Sequence, residues 1–177
     1  EQHQSDAYGQ VLDLVHLHHR LGGTVDERVR EQAIKLADFV AASPSSYHAA
    51  AEVARRLEHA GYVRLDEEQA WEVTPGGRYV VVRDGAAIAW TVPTDATATT
   101  PAHILGAHTD SPGFKLKPQP TTGSKGWLQA AVEVYGGPLL TSWLDRELSL
   151  AGRLALADGR VCLLYTSDAA DDSLRVD

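Results

Sequence analysis

The hydrophobic pattern changes period at Tyr62, and that change sets the class of fold open to the chain. Before it, apolar residues recur at helical spacing; after it, they gather in short runs of strand length. Val29, Ala33, Leu36, Ala37 and Val40 share one face of a helix predicted over about 25–41. Thr24-Val25-Asp26-Glu27 has the S/T-x-x-E form of a capping box at its start. Ser43-Pro44-Ser45-Ser46 stops it, because the residue before proline avoids the α region. A second helix is predicted over about 47–60, with Ala50, Val53, Ala54 and Leu57 as its buried stripe and Gly61 at the left-handed cap. An earlier amphipathic stretch, about Tyr8 to Leu21, ends at Gly22-Gly23. Beyond Tyr62, Arg78–Arg83 and Ala86–Val92 flank Asp84-Gly85, which predicts a hairpin. Ala102–Ala107 is a short apolar run bounded by Pro101 and Pro112 and reads as a buried strand. Helices, then a hairpin, then an apolar strand predict an α/β arrangement.

After Pro112 the expected elements are shorter. Lys115–Trp127 mixes Pro, Thr, Gly, Ser and Lys and reads as a loop or crossover. Leu128–Val134 alternates as a strand, Tyr135-Gly136-Gly137-Pro138 is a turn, and Leu150–Ala157 is a further strand closed by Asp158-Gly159. No internal repeat occurs.

Charge narrows the partners. The 177 residues carry 16 Lys and Arg against 24 Asp and Glu, a net charge of −8. Binding to nucleic acid draws on clustered cations that release counterions, and no such cluster is present, so neither nucleic acid nor an anionic membrane is an expected partner. No apolar run reaches the ~18 residues that span a bilayer. The single cysteine, Cys162, excludes an internal disulfide and fits a reducing compartment. The chain begins at Glu1 and contains no methionine, so it is expected to be a piece of a longer reading frame. Its first residues lack the charged-then-apolar order of a secretory signal.

The sharpest candidate site is His108-Thr109-Asp110-Ser111-Pro112, at the exit of the expected strand. On a continuing strand, residues two apart share a face, so His108 and Asp110 point the same way. A neutral imidazole is the commonest metal ligand, and a neighbouring carboxylate can orient it. The same residues also suit a histidine capping a strand beside a turn aspartate. His16, His18 and His19 do not share one helical face and lack the i, i+4 spacing of helical zinc ligands, so they read as polar helix positions. His48, at a helix start, reads as surface or packing, and Lys115 and Lys117 as a solvated face. Phosphate-binding glycine loops and a G-x-S-x-G nucleophile turn are absent.

Five strings in order carry a resemblance. They are Phe39-Val40 through Ser43-Pro44-Ser45-Ser46-Tyr47-His48-Ala49, Gly106-Ala107-His108-Thr109-Asp110-Ser111-Pro112, Lys115-Leu116-Lys117-Pro118, Glu133-Val134-Tyr135-Gly136-Gly137-Pro138, and Trp143-Leu144-Asp145-Arg146 through Arg153. Together they resemble the aspartyl aminopeptidase family of zinc metallo-aminopeptidases over about 34–160. The resemblance implies an α/β catalytic domain interrupted by a smaller β-rich oligomerisation domain. It also implies a cytoplasmic di-zinc exopeptidase, assembled as a homo-oligomer, that removes N-terminal residues, often acidic ones, from peptides with a free N-terminus. By position His108 matches the first zinc ligand, and Asp110 matches the catalytic-site aspartate of the H-x-D motif. Asp145 falls where the inserted domain opens and is not carried over as a ligand.

The expected organisation follows. Residues 1–30 are an unassigned helical segment, 31–118 the N-terminal part of the catalytic domain, 119–160 the start of the inserted domain, and 161–177 a non-native tail. The family's bridging aspartate, paired glutamates and last ligands have no match here. One ligand does not hold zinc, since stable sites need three or four, so the chain carries at most one incomplete site and is expected to be inactive alone. The alternative is a non-catalytic binding or oligomerisation fragment; a related di-zinc amidohydrolase or carboxypeptidase is a third reading.

Overall fold

A computed structural model describes residues 20, 26–145 and 147–166. In chain order its elements are α1 (Glu27–Ala41), α2 (Ser46–His59), β1 (Val63–Arg64), β2 (Arg78–Arg83), β3 (Ala86–Thr91), β4 (Gly113–Ser124), β5 (Trp127–Tyr135), β6 (Ala151–Ala155) and β7 (Val161–Tyr165). A 3₁₀ turn, Leu140–Ser142, lies between β5 and β6. The described residues form two units: one joins 27–110 to 149–166, and the other is built on 111–148.

In the first unit, α2 covers a three-stranded sheet in which β2 lies between β1, parallel, and β3, antiparallel. Ser45 caps α2 from extended backbone, its hydroxyl accepting from the His48 N–H at 3.4 Å. Gly61 ends the helix with φ +86°, a conformation that costs a glycine little. The small side chains Ala49, Ala50 and Ala54 let the helix lie close to β2, whose Val80 is 0% exposed. Tyr79, Val81 and Leu164 complete the buried apolar set among the described residues.

The buried stripe of α2 is rotated from the expected one. Val53 and Leu57 are half-buried, and Glu52 is buried instead. Burial of a carboxylate is tolerated because two arginines meet it: Arg55 donates to both oxygens at 2.6 and 2.7 Å, and Arg56 donates at 2.6 Å. Those bonds, from Arg55 above all, outweigh desolvation and hold the Glu52 carboxyl down to about 2. Arg56 also reaches the Lys35 carbonyl at 3.3 Å and lies 5.2 Å over the Phe39 ring, tying α1 to α2.

The hairpin of β6 and β7 closes the unit. Its Arg153 pairs with Asp84 and lies 4.9 Å over the Tyr47 ring, and Tyr165 stands edge-on to His48 at 6.4 Å. Residues 149–166 therefore belong with the first unit, and 161–165, expected in a non-native tail, form β7. The two units are divided at 110/111 and 148/149, and β4 runs through residue 118.

Two expected elements differ. Ala102–Ala107 is not a strand and is not buried: Ile104 is 89% exposed and Leu105 100%. An apolar run becomes a buried strand only if neighbouring backbones bond its N–H and C=O groups, and among the described residues none does. Conversely, most of the expected loop 115–127 is β4, paired with β5 in the second unit. The two prolines that suggested a loop, Pro118 and Pro120, sit where the register shifts between Leu116 and Thr121, so neither has to donate to the ladder. Lys115 and Lys117 are exposed on β4. Among the described residues no helix is long and apolar enough to cross a membrane.

Candidate functional site

The site begins at the β2–β3 turn. Arg83 pairs with Ala86, so Asp84-Gly85 is a two-residue turn, and Asp84 enters the left-handed region at φ +51°. Gly85 is required by close approach: a Cβ there would stand 2.6 Å from the Ser46 Oγ and 3.0 Å from its Cβ. The turn is thereby seated on the N-terminus of α2, and the Asp84–Arg153 pair holds its other side. Its Gly85 carbonyl has a specific partner. Thr109 donates its hydroxyl to the Gly85 carbonyl at 2.6 Å.

Thr109 lies between the two residues that sequence singled out. His108 is exposed, and its Nδ1 lies 2.7 Å from the Asp110 backbone carbonyl. A carbonyl oxygen only accepts, so Nδ1 carries the proton in this contact and Nε2 carries the lone pair. The Asp110 carboxylate is brought near the same ring, with Oδ1 3.6 Å from Nδ1. That is within ion-pair range but beyond a hydrogen bond, so the backbone carbonyl is the group that orients the imidazole. His108 and Asp110 meet in an irregular segment, not on the face of a strand.

This donor set fits zinc as one ligand. A neutral imidazole with its second nitrogen bonded to a carbonyl is the usual form of a zinc-bound histidine. A stable site needs two or three further ligands. Among the described residues no group of three or more His, Cys, Asp or Glu side chains is placed to hold one ion.

His16, His18 and His19 are outside the described residues. His48 is half-buried, with Nδ1 2.7 Å from the Ser45 hydroxyl, and burial lowers its pKa. His59 donates to the Arg55 carbonyl at 2.9 Å on the helix itself. In the second unit Trp143 packs edge-on against Phe114 at 4.9 Å, a structural role, and Asp145 sits at φ +55°. Sequence reasoning missed Thr109, Gly85 and Arg153. The Asp-Gly turn was visible, but which chain segment its carbonyl faces is long-range information.

The fold and the H-x-D motif are consistent with a metal-dependent hydrolase scaffold, and comparison with known proteins gives the family. The family described as Aminopeptidase I zinc metalloprotease (M18) matches residues 39–170. The chain belongs to that family, the aspartyl aminopeptidases. It is 57% identical over 129 residues to a probable M18 family aminopeptidase 2 of Streptomyces coelicolor, covering 73% of this chain and 30% of that protein. It is 52% identical over 128 residues to the protein of the same description in Pseudomonas putida, covering 71% of this chain and 30% of that one. The chain thus spans about a third of the length of these relatives. Among solved structures, yeast aminopeptidase 1 (Ape1) superposes with a TM-score of 0.69 at 28% identity, covering 77% of this chain and 34% of that one. An M18 aminopeptidase from Thermotoga maritima superposes with a TM-score of 0.70 over 98% of this chain and 35% of that one; at 22% identity, that likeness shows the fold alone.

Proposed function

We propose that the chain supplies part of the catalytic centre of a zinc aminopeptidase that removes N-terminal residues, acidic ones among them, from peptides. The observation that carries this reading is the His108 imidazole, whose Nδ1–H is committed to the Asp110 carbonyl and whose Nε2 is left as a donor atom. The family match supports zinc as the metal. When bound, zinc polarises a scissile carbonyl and lowers the pKa of a coordinated water to about 7. His108 would hold the metal through Nε2, and the Asp110 carboxylate beside the ring would offset the added positive charge. The unit carrying His108 is assigned to the catalytic domain, and the β4–β5 ribbon to the start of the inserted oligomerisation domain. Two zinc ions serve the whole protein, and one incomplete site lies here, so the 177-residue chain is inactive by itself. A homo-oligomeric assembly is supported by the solved dodecamer of yeast mApe1, and a cytoplasmic location by the family resemblance.

The test compares two polypeptides with zinc and chromogenic N-terminal aspartyl and glutamyl substrates. A polypeptide continuing this frame to the relatives' length releases the chromophore and loses that activity with His108→Ala; the 177-residue chain releases none. Full turnover by the short chain overturns the incomplete site, and zinc-independent release by the long one overturns the metallopeptidase. A second reading, a non-catalytic oligomerisation fragment, is favoured by the exposed Trp127 and Leu128 of the ribbon. A zinc-free stable oligomer in size-exclusion chromatography supports it.

A further inference from the structure

We infer that Thr109 is a positioning residue, which fixes the orientation and tautomer of His108 by anchoring the 108–110 segment to the Gly85 carbonyl. The inference deepens the reading of His108 as a zinc-binding side chain and takes its functional meaning from it. The geometry itself stands apart from any metal.

Among the described residues, 101–107 have no strand partner, and Leu105 is wholly exposed. The 2.6 Å bond from the Thr109 hydroxyl to the Gly85 carbonyl ties this segment to the β2–β3 turn. It falls between the ring and the acceptor of the His108–Asp110 contact. Imidazole Nδ1 reaches the carbonyl two residues on only while the backbone at the intervening residue is held, and a β-branched residue with its Oγ1 engaged is held at χ1 as well. The acceptor is equally well fixed. Gly85 is wedged against Ser46 at the α2 N-terminus, and Asp84 is paired to an Arg153 that is also stacked on Tyr47. The rigid turn thus lends its order to a segment that has no ladder of its own. An unanchored His108 would exchange between tautomers in water, and the tautomer with the proton on Nε2 cannot present that nitrogen to a metal.

The measurement is two-bond ¹H–¹⁵N correlation of ¹⁵N-histidine-labelled 177-residue chain at pH 8, with His108 assigned by His108→Ala. The native chain shows His108 mainly protonated on Nδ1. Thr109→Val, which keeps the shape and removes the hydroxyl, lowers the Nδ1–H to Nε2–H ratio about five-fold, the ratio one net hydrogen bond supports. Thr109→Ser restores it. An unchanged ratio in Thr109→Val overturns the inference. Where Thr109→Val does not fold, Arg153→Gln decides it, since releasing the turn from its other side lowers the same ratio and an unchanged ratio overturns the inference. Because no metal enters the measurement, failure of the zinc reading leaves this outcome untouched, and failure here leaves the zinc reading to its own test.

Discussion

Strand β2 and the segment Ala102–Ala107 are alike in length and apolar character and opposite in environment. Val80, in β2, is 0% exposed; Leu105 is 100% exposed. The difference is one of partners. β2 pairs along its whole length with β3, its Tyr79 and Val80 also pair with β1, and α2 lies over its face, so its central side chains are covered. Among the described residues the second segment has none of these. A buried strand is a relation between segments, and apolar sequence supplies one half of it.

Three substitutions test that contrast, from the largest effect to the smallest. Val80→Asp puts an unpaired charge at the fully covered position and is expected to cost about 4 kcal/mol or more, abolishing the cooperative urea transition seen by circular dichroism. A variant with the native midpoint would show that β2 is not the core. Glu52→Gln is expected to cost about 2 kcal/mol, discounted because both arginine partners are partly exposed. Its pH signature has a definite sign. The folded carboxyl titrates at about 2, below the ordinary 4.5, so the unfolded chain binds the proton first as pH falls. The contribution is therefore complete above pH 4.5 and is lost between about 4.5 and 2, whereas Glu52→Gln shows no such loss. Leu105→Asp, at the other pole, is expected to shift stability by less than ~0.5 kcal/mol and to reduce self-association measured by light scattering. A cost approaching that of Val80→Asp would break the contrast.

The sequence disclosed the elements whose signals are local. The two helices of 27–59 were legible in their apolar spacing and in Ser45 and Gly61, and the β2–β3 hairpin in Asp84-Gly85. Pro118 and Pro120 hid β4, because a register shift that spares two prolines from pairing is a property of both strands. Glu52 was read past for a similar reason: a carboxylate enters a core only when arginines reach it. At the site, His108 and Asp110 were visible as a motif, while the carbonyl that orients the ring, and the Thr109 anchor, were not.

By itself the sequence determined where helix gives way to strand, where the two-residue turn falls, and which family the five ordered strings belong to. Those are matters of local spacing, cap chemistry and residue order, and they need no partner. The tertiary structure alone decided that 102–107 is open, that 149–166 returns to the unit of the first hairpin, and that Gly85 and Thr109 meet. Each depends on backbone groups far apart in the chain finding each other, which no local pattern encodes.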